Sequence, residues 1–474
     1  MAACLIAVAP HAWAQEKVTA TGVVAQEPQA IPGGASPRLP AEINPPLPSS
    51  QPVPSTIDPT TPPPAPTDSQ STFSGNTPVQ DLSALLPGRF SNTKYKWYGF
   101  IRLDAIYDFK PIKSTDDLVT AAIPIPQGNS QNFVLTPRYT RLGFDTETPL
   151  ESMDWTIKTR LEMDFFNGNT SGLFGSFPIR LRFAWVDFGP FLIGQAPSLF
   201  MDYDVFPNVL DYEGPPGMVL MRQPIISMHW KHERIKVSVG IEQPYSDIEW
   251  FENGAWVVNP GTGIITTPGV GKNVQNVPDF TGNVRYEGCY SHVQVAGIVR
   301  KLSFEDAAGA TFDEVGYGIN VTATWSPWAM LSGAPEKFED RTPMQRSRFL
   351  GQYAAGRGIN RYIQDVNGSG LDATFDPANG FRAIPSYGWF VAYEQWWTKR
   401  LASNYTVGGG TWSDLTNTLP ANTYKHATYY SANLIWLPVE RMGVGFEYLY
   451  GSRENFDGAS ANVHRLQFAT QYKF

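Results

Sequence analysis

The chain has 474 residues, of which 42% are hydrophobic and 13% aromatic, and its formal net charge is -8 at pH 7. The mean hydropathy is -0.25, and no uninterrupted apolar run reaches the ~18 residues that a transmembrane helix needs. The acidic balance argues against nucleic acid as the main partner. These values are still compatible with a closed transmembrane β-barrel, because only the outward side chains of a barrel must be apolar.

The first 90 residues differ in composition from the rest of the chain. Residues 1–14 resemble the end of a signal peptide, because Ala12-Trp13-Ala14 before Gln15 fits a small-x-small cleavage site. Residues 15–90 are rich in Pro, Ser, Thr and Gln and are predicted to be a disordered periplasmic segment. The alternatives for this segment are a spacer that touches peptidoglycan and a tether with no specific partner, and the tether is favoured.

From Trp97 onward the sequence alternates between apolar and polar residues, which is the pattern of half-exposed β-strands. Ile101 and Leu103 share a face with Trp97, whereas Arg102 and Asp104 point the other way. We predict strands near 97–109, 138–148, 154–166, 178–188, 191–199, 219–231, 234–242, 279–287, 290–300, 313–326, 341–353, 386–397, 402–412, 424–436, 441–451 and 462–474. Residues 95–474 are therefore predicted to form an all-β domain, a 16-stranded antiparallel transmembrane β-barrel.

The predicted connections alternate between short and long, as tight periplasmic turns and long outside loops do in outer-membrane barrels. The long ones cover about 110–137, 243–278, 354–385 and 452–461. One turn, near 327–340, breaks the rule because it is long where a short one is expected. The sequence ends within a strand at Phe474, which fits both the closure of a barrel and an assembly signal for the barrel assembly machinery.

The alternation separates a lipid-facing surface from a lumen. The outward sets are Trp155/Ile157/Leu161/Met163, Val293/Val295/Val299, Val315/Tyr317/Ile319/Val321 and Met442/Val444/Phe446/Tyr448. The inward basic residues are Arg141, Lys158, Arg160, Arg180, Arg182, Arg222, His229, Lys231, Lys236, Arg285 and Arg300.

Four of these cations, Lys158, Arg160, Arg180 and Arg182, lie on two neighbouring strands and form a predicted basic ladder. If these side chains had no acidic partners, they would raise the local concentration of anions in the lumen. Arg suits carboxylates because its planar guanidinium binds both oxygens. The alternative is that the cations pair with Asp145, Glu147, Glu162 and Asp164 in a structural network.

An acidic segment, residues 201–217, follows the fifth predicted strand. We expect this loop to fold into the lumen and to form a constriction, with Asp202, Asp204, Asp211 and Glu213 facing the basic wall. The alternative is an ordinary outside loop with solvated acids.

Several short segments together resemble the DcaP-like porins of Gram-negative outer membranes. They are Tyr98–Asp104, Thr136–Phe144, Ile193–Gln195 with Leu199–Asp202, and Asn360–Asp365. The resemblance covers roughly Trp97 to Phe474. One departure is the Pro-rich segment before the barrel, where related chains carry a coiled-coil-like helix.

The resemblance implies a homotrimeric channel in the outer-membrane lipid that passes small anionic solutes, dicarboxylates above all. The implied selectivity residues are Arg141, Arg160, Arg180, Arg182 and Arg222. A general non-selective porin is one alternative, and an outer-membrane barrel enzyme or a soluble all-β binding protein are others. None of the six His residues lies in a recognised catalytic motif, and neither a metal site nor a cofactor is predicted.

Overall fold

The computed structural model describes residues 80–81, 92–150, 155–167, 177–248, 251–252, 255–256, 271–306, 309–376, 380–412 and 419–474. Sixteen long strands make up most of this part of the chain. They are β1 Lys94–Asp108, β2 Arg141–Leu150, β3 Trp155–Asp164, β4 Arg180–Phe188, β5 Phe191–Pro197, β6 Arg222–His232, β7 Ile235–Glu242, β8 Asp279–Glu287, β9 Ser291–Asp306, β10 Thr311–Trp325, β11 Arg348–Arg357, β12 Pro385–Thr398, β13 Leu401–Trp412, β14 Tyr424–Trp436, β15 Met442–Asn455 and β16 Ser460–Lys473.

Every strand pairs antiparallel with the next one in the sequence, and β16 pairs with β1 to close the barrel. The closing register joins Phe100 to Lys473 and Asp108 to Arg465. The predicted fold, a 16-stranded antiparallel barrel, is confirmed. Closure leaves neither the first nor the last strand with an unpaired edge.

The outward surface is apolar, as the alternation predicts. Val299, Val315 and Phe446 are each more than half exposed, whereas the inward Arg465 and Gln467 are fully buried. Exposed aromatic side chains form two girdles near the ends of the strands. The girdle at one end includes Trp97, Trp155, Trp230, Trp325, Phe349, Trp397 and Trp436, and the girdle at the other includes Phe109, Phe133, Phe280 and Tyr387. Two such girdles bound the apolar band of a membrane barrel.

The connections differ in length at the two ends, which we call the short-turn end and the long-loop end. The short-turn end carries residues 189–190, 233–234, 288–290, 399–400 and 437–441, together with the long turn 326–347. That turn contains α1 Pro327–Ser332, a 3₁₀ turn Phe338–Asp340 and α2 Pro343–Arg346. The strand predicted at 341–353 therefore begins later, at Arg348, because Pro343 opens a helical turn capped by Thr342 and Gln345.

At the long-loop end one prediction is wrong. Residues 452–461 are not a long loop, since β15 continues to Asn455 and β16 begins at Ser460. Smaller elements lie in the other loops: strands Asn132–Thr136, Phe251–Glu252, Ala255–Trp256, Gly271–Asn273, Ala373–Asp376 and Gly380–Ala383, and 3₁₀ turns Thr120–Ala122, Tyr203–Val205, Asn360–Tyr362 and Gln364–Val366.

The predicted signal peptide lies outside the described residues, and so does most of the predicted disordered segment. Within that segment Gln80–Asp81 forms a two-residue strand that pairs with β1. Among the described residues, no helix is long and apolar enough to cross a membrane.

Candidate functional site

The predicted basic ladder lies on the inner face of β2–β4, where acidic residues accompany it. Arg160 donates from Nε and Nη2 to the two carboxylate oxygens of Asp145, at 2.8 Å each. Lys158 Nζ is 3.9 Å from Glu147, and its side chain is 37% exposed. Ion pairs therefore hold both members of the ladder on β3, and the one to lysine is the looser of the two.

The arginines of β4 are paired more tightly. Arg180 makes a two-point contact with Asp164, at 3.0 and 2.7 Å. Arg182 donates to Glu162 at 2.7 Å and to Asp164 at 2.9 Å, and its side chain is only 1% exposed. Arg141, on β2, adds a contact of 3.5 Å to Glu162. The network of cations and acids that the sequence left as the alternative is the arrangement found for these arginines.

Arg222 lies against aromatic rings. It opens β6 and is 7% exposed, with its guanidinium carbon 5.7 Å from the centre of the Phe183 ring and 5.8 Å from that of Tyr203. Cation–π contacts of this kind keep a buried guanidinium against an aromatic wall.

The lysines of the lumen are less constrained than its arginines. Lys236 on β7 faces inward in register with Lys231 and Arg285. Lys96 faces inward on β1 in register with Asp145. Both side chains are half-buried, and neither makes a hydrogen bond or ion pair with any of the residues that the structure describes. Lys231 is paired with Glu287 at 2.7 Å but remains 56% exposed.

The loop after β5, residues 198–221, crosses the lumen as expected. Its first half is fixed by Asp202, which accepts hydrogen bonds from Arg285 at 3.0 Å and Thr322 at 2.6 Å. His292 Nε2 lies 2.8 Å from the same carboxylate, and Asp204 also pairs with Arg285. One carboxylate thus ties the loop to β8, β9 and β10.

Asp211 does not pair with the basic ladder, and that part of the prediction is wrong. Asp211 accepts from the backbone N–H groups of Leu118 and Gly214, at 2.9 and 3.0 Å. Glu213 accepts from Gln364 at 3.0 Å. Both acids are fully buried, and these hydrogen bonds tie the loop to residues of two other loops, Leu118 and Gln364.

The residue between these two acids makes the contact with the ladder instead. The Tyr212 phenol donates to Asp164 at 2.7 Å and accepts from Arg182 at 2.7 Å. Its ring stacks on Tyr139, with the centroids 4.3 Å apart. A neutral donor and acceptor therefore joins the loop to the paired charges.

The segment of the loop around Gly217 packs closely against the barrel wall. A Cβ at Gly217 would overlap the backbone of Gly388 on β12 and of Gly409 on β13. Gln352 fastens the same segment by accepting from Val219 N at 3.1 Å and donating to Gly217 O at 3.0 Å. Only a residue without a side chain allows the loop to approach the wall so closely.

Two other loops pack against the loop 198–221. Asp365, in the loop 358–384, accepts from Thr120 N at 2.9 Å and from its hydroxyl at 2.6 Å. Leu220 N donates to Tyr362 O at 3.0 Å. Apolar side chains from the loops and the wall pack around these contacts, including Phe200, Phe206, Tyr362, Ile363, Phe390 and Trp412. We call the three loops 109–140, 198–221 and 358–384 the lumen plug.

Burial of acids in the lumen plug shifts their protonation. The pKa of Asp117 is raised to about 7, chiefly by burial and then by the nearby Asp211 and Asp116. The pKa of Asp211 is also raised, chiefly by burial. The packing between the loops 109–140 and 198–221 therefore depends on the protonation of acids that they bury together.

The sequence reasoning missed Tyr212, Lys96 and the inward fold of the loop 358–384. The motif at Asn360–Asp365 contributes only to the family resemblance, and nothing in its composition indicates that it lies in the lumen. The acids on either side of Tyr212 give the stronger sequence signal for a charged contact. A tyrosine in a loop that is expected to meet an Arg-rich wall is the signal that could have been used.

The chain is similar to known outer-membrane proteins. Residues 84–254 match the family model for the DcaP outer membrane protein. No curated protein matches the chain. The crystal structure of the outer membrane channel DcaP of Acinetobacter baumannii aligns with a TM-score of 0.64 at 19% identity, covering 81% of this chain and 98% of that one.

Two porin structures align more weakly. An anion-selective porin from Comamonas acidovorans has a TM-score of 0.47 at 10% identity, over 81% of this chain and 100% of its own. The trimer form of OmpT from Vibrio cholerae has a TM-score of 0.46 at 11% identity, over 81% and 99%. The alignment at a TM-score of 0.64 shows the fold of the DcaP channel, and the match over residues 84–254 confirms the resemblance to the DcaP-like porins that the sequence predicted.

Proposed function

We propose that the chain is a passive outer-membrane channel that prefers small anionic solutes such as dicarboxylates. The observation that carries the proposal is the inward group of lysines, Lys96 and Lys236 above all, which make no ion pair with described residues. Unpaired cations at a lumen wall raise the local concentration of anions, whereas cations already paired with acids contribute little net field.

The paired arginines have a different role in this proposal. They hold the wall of β2–β4 and the loop 198–221 in place. The side chains of Arg141, Arg160 and Arg180 keep an exposed fraction of 10–16%, whereas that of Arg182 is only 1% exposed. Among the six pore-lining candidates, Arg141, Lys158, Arg160, Arg180, Arg182 and Arg222, the side chain of Lys158 is 37% exposed and offers a solute the most accessible charge, whereas Arg182 offers almost none.

The resemblance to the DcaP-like porins supports two further proposals, assembly into a homotrimer and a periplasmic N-terminal segment. The apolar outer surface supports contact with outer-membrane lipid. The size of the detergent-solubilised protein, measured by light scattering, tests the trimer.

Solute flux tests the proposed preference. Liposomes that contain the protein are expected to swell faster in succinate than in an uncharged solute of similar size, and slowest in a diamine. Equal rates would favour the general non-selective porin, and fastest swelling in the diamine would contradict the proposal. Lipid or peptide hydrolysis by the pure protein would favour a barrel enzyme instead.

A further inference from the structure

The long turn 326–347 is unusual because it contains ordered helical turns at the end of the barrel where the other turns are short. Arg341 donates to the carbonyls of Pro335 at 2.9 Å and of Glu336 at 3.2 Å. Arg346 donates to the carbonyls of Arg341 at 3.1 Å and of Glu339 at 2.6 Å. Two arginines thus supply donors to the turn's own backbone, and they fix its shape without any strand pairing.

The turn lies across the rim of the barrel. On the lumen side, Phe338 packs edge-on against Trp396, with the ring centroids 5.9 Å apart. On the outer side, the Trp328 indole donates to the Tyr393 hydroxyl at 3.3 Å. Tyr393 in turn packs against Phe349 of the aromatic girdle, with the centroids 4.6 Å apart. The outer half of the turn is therefore continuous with the girdle at the short-turn end.

The turn, including the part around Trp328, exposes apolar side chains that nothing in the described chain covers. Leu331 is 75% exposed, Met330 48%, Met344 44% and Trp328 37%. Isolated exposed apolar residues are common, but four together on one internally hydrogen-bonded turn mark a contact surface.

We propose that this outer half, Trp328, Met330, Leu331 and Met344, inserts into the interfacial layer of the bilayer at the short-turn end and acts as a lipid anchor. A lipid surface is the occupant that fits, because the turn extends a surface that already faces lipid. Trp at the margin of such a patch places its ring at the level of the headgroups while its N–H group is hydrogen-bonded. The proposal rests on the membrane-embedded barrel and not on its solute preference.

The depth of Leu331 in the bilayer tests the anchor. Leu331→Cys, in a full-length chain whose native cysteines are replaced by Ser, would carry a nitroxide in phosphatidylethanolamine and phosphatidylglycerol vesicles. The label is expected to collide several-fold more often with oxygen than with a water-soluble nickel complex. Glu336→Cys, exposed on the same turn, is the matched control and should show the reverse.

Equal access of the nickel complex to both positions would overturn the proposal. Shielding of position 331 from both reagents would also overturn it, because a second copy of the chain would then cover the surface. If the cysteine-free chain does not fold, brominated lipid gives a second measurement. Trp328→Phe should then lose part of the emission that brominated lipid quenches, and an unchanged quenched fraction would contradict the anchor.

Discussion

The arginines and the lysines of the lumen face the same space but are bound to their surroundings in different ways. Arg160, Arg180 and Arg182 make two-point or double contacts with acids on neighbouring strands. Lys96 and Lys236 point into the same lumen without such partners among the described residues. A basic residue that the sequence predicts to face the lumen can therefore be paired with an acid in the structure. In the channel that we propose, the arginines stabilise the wall and the lysines determine the electrostatic field of the lumen.

Removal of Arg182 should have the largest effect. Arg182→Ala leaves Glu162 and Asp164 with less compensation in a buried setting, and the loss of one partner of a buried pair costs about 3–5 kcal/mol. The free energy of unfolding in urea, measured with the protein in detergent micelles, checks this. Lys158→Ala is the matched control, because its partly exposed pair should contribute no more than about 1 kcal/mol. Equal losses in both variants would contradict the division between arginines and lysines.

The phenol of Tyr212 is the next test, because it joins the constriction loop to the paired arginines. Tyr212→Phe keeps the ring stack on Tyr139 and removes only the hydroxyl. The loss should cost about 1–3 kcal/mol, since a buried donor and a buried acceptor each lose a partner. We expect more current noise in single-channel recordings as the loop loosens. A quiet channel with unchanged stability would show that the hydroxyl does not hold the loop.

The lysines should behave in the opposite way in the same stability assay. Lys96→Ser and Lys236→Ser together remove charges that make no ion pair within the part of the chain that the structure describes, so the free energy of unfolding should change by no more than about 0.5 kcal/mol for each substitution. The change should appear in anion flux instead. A large loss of stability would mean that these lysines hold the wall after all.

The smallest predicted effect concerns pH and the lumen plug. Because burial raises the pKa of Asp117 from 3.8 to about 7, its proton is bound more tightly in the packed state than in an open one. Packing is therefore strongest at low pH and is weakened as the pH rises from about 4 through about 7. Proteolysis of the loop 109–140 should be slower at pH 6 than at pH 8. Asp117→Asn should flatten this difference, and an unchanged difference would assign it to another group.

The strands were predictable from the sequence because period-two alternation is a local property. All sixteen appear, and errors arose where a local signal misleads. Pro343 starts a helical turn inside a stretch predicted as strand, and β15 and β16 extend through polar residues such as Ser452 and Asn462 that resemble a loop. Alternation also gave the inward face of the ladder.

The pairing inside the lumen was not predictable in the same way. The partners of Asp211 and Glu213 come from loops that are far away in the sequence, Leu118 and Gln364. Alternation fixes which face a strand residue occupies but not which loop reaches it. The close approach of Gly217 to Gly388 and Gly409 also joins backbone segments that are distant in the sequence, and no local pattern predicts it.

The zero-current potential in a planar bilayer with a salt gradient tests the central claim most directly. The unchanged channel should be anion-selective, and Lys96→Ser with Lys236→Ser should move the potential toward zero. Lys301→Ser, which removes an outward lysine paired with Asp313 at 3.0 Å, should leave the potential where it was. The account would be contradicted if the unchanged channel were cation-selective, or if the two inward lysine substitutions left the zero-current potential unchanged.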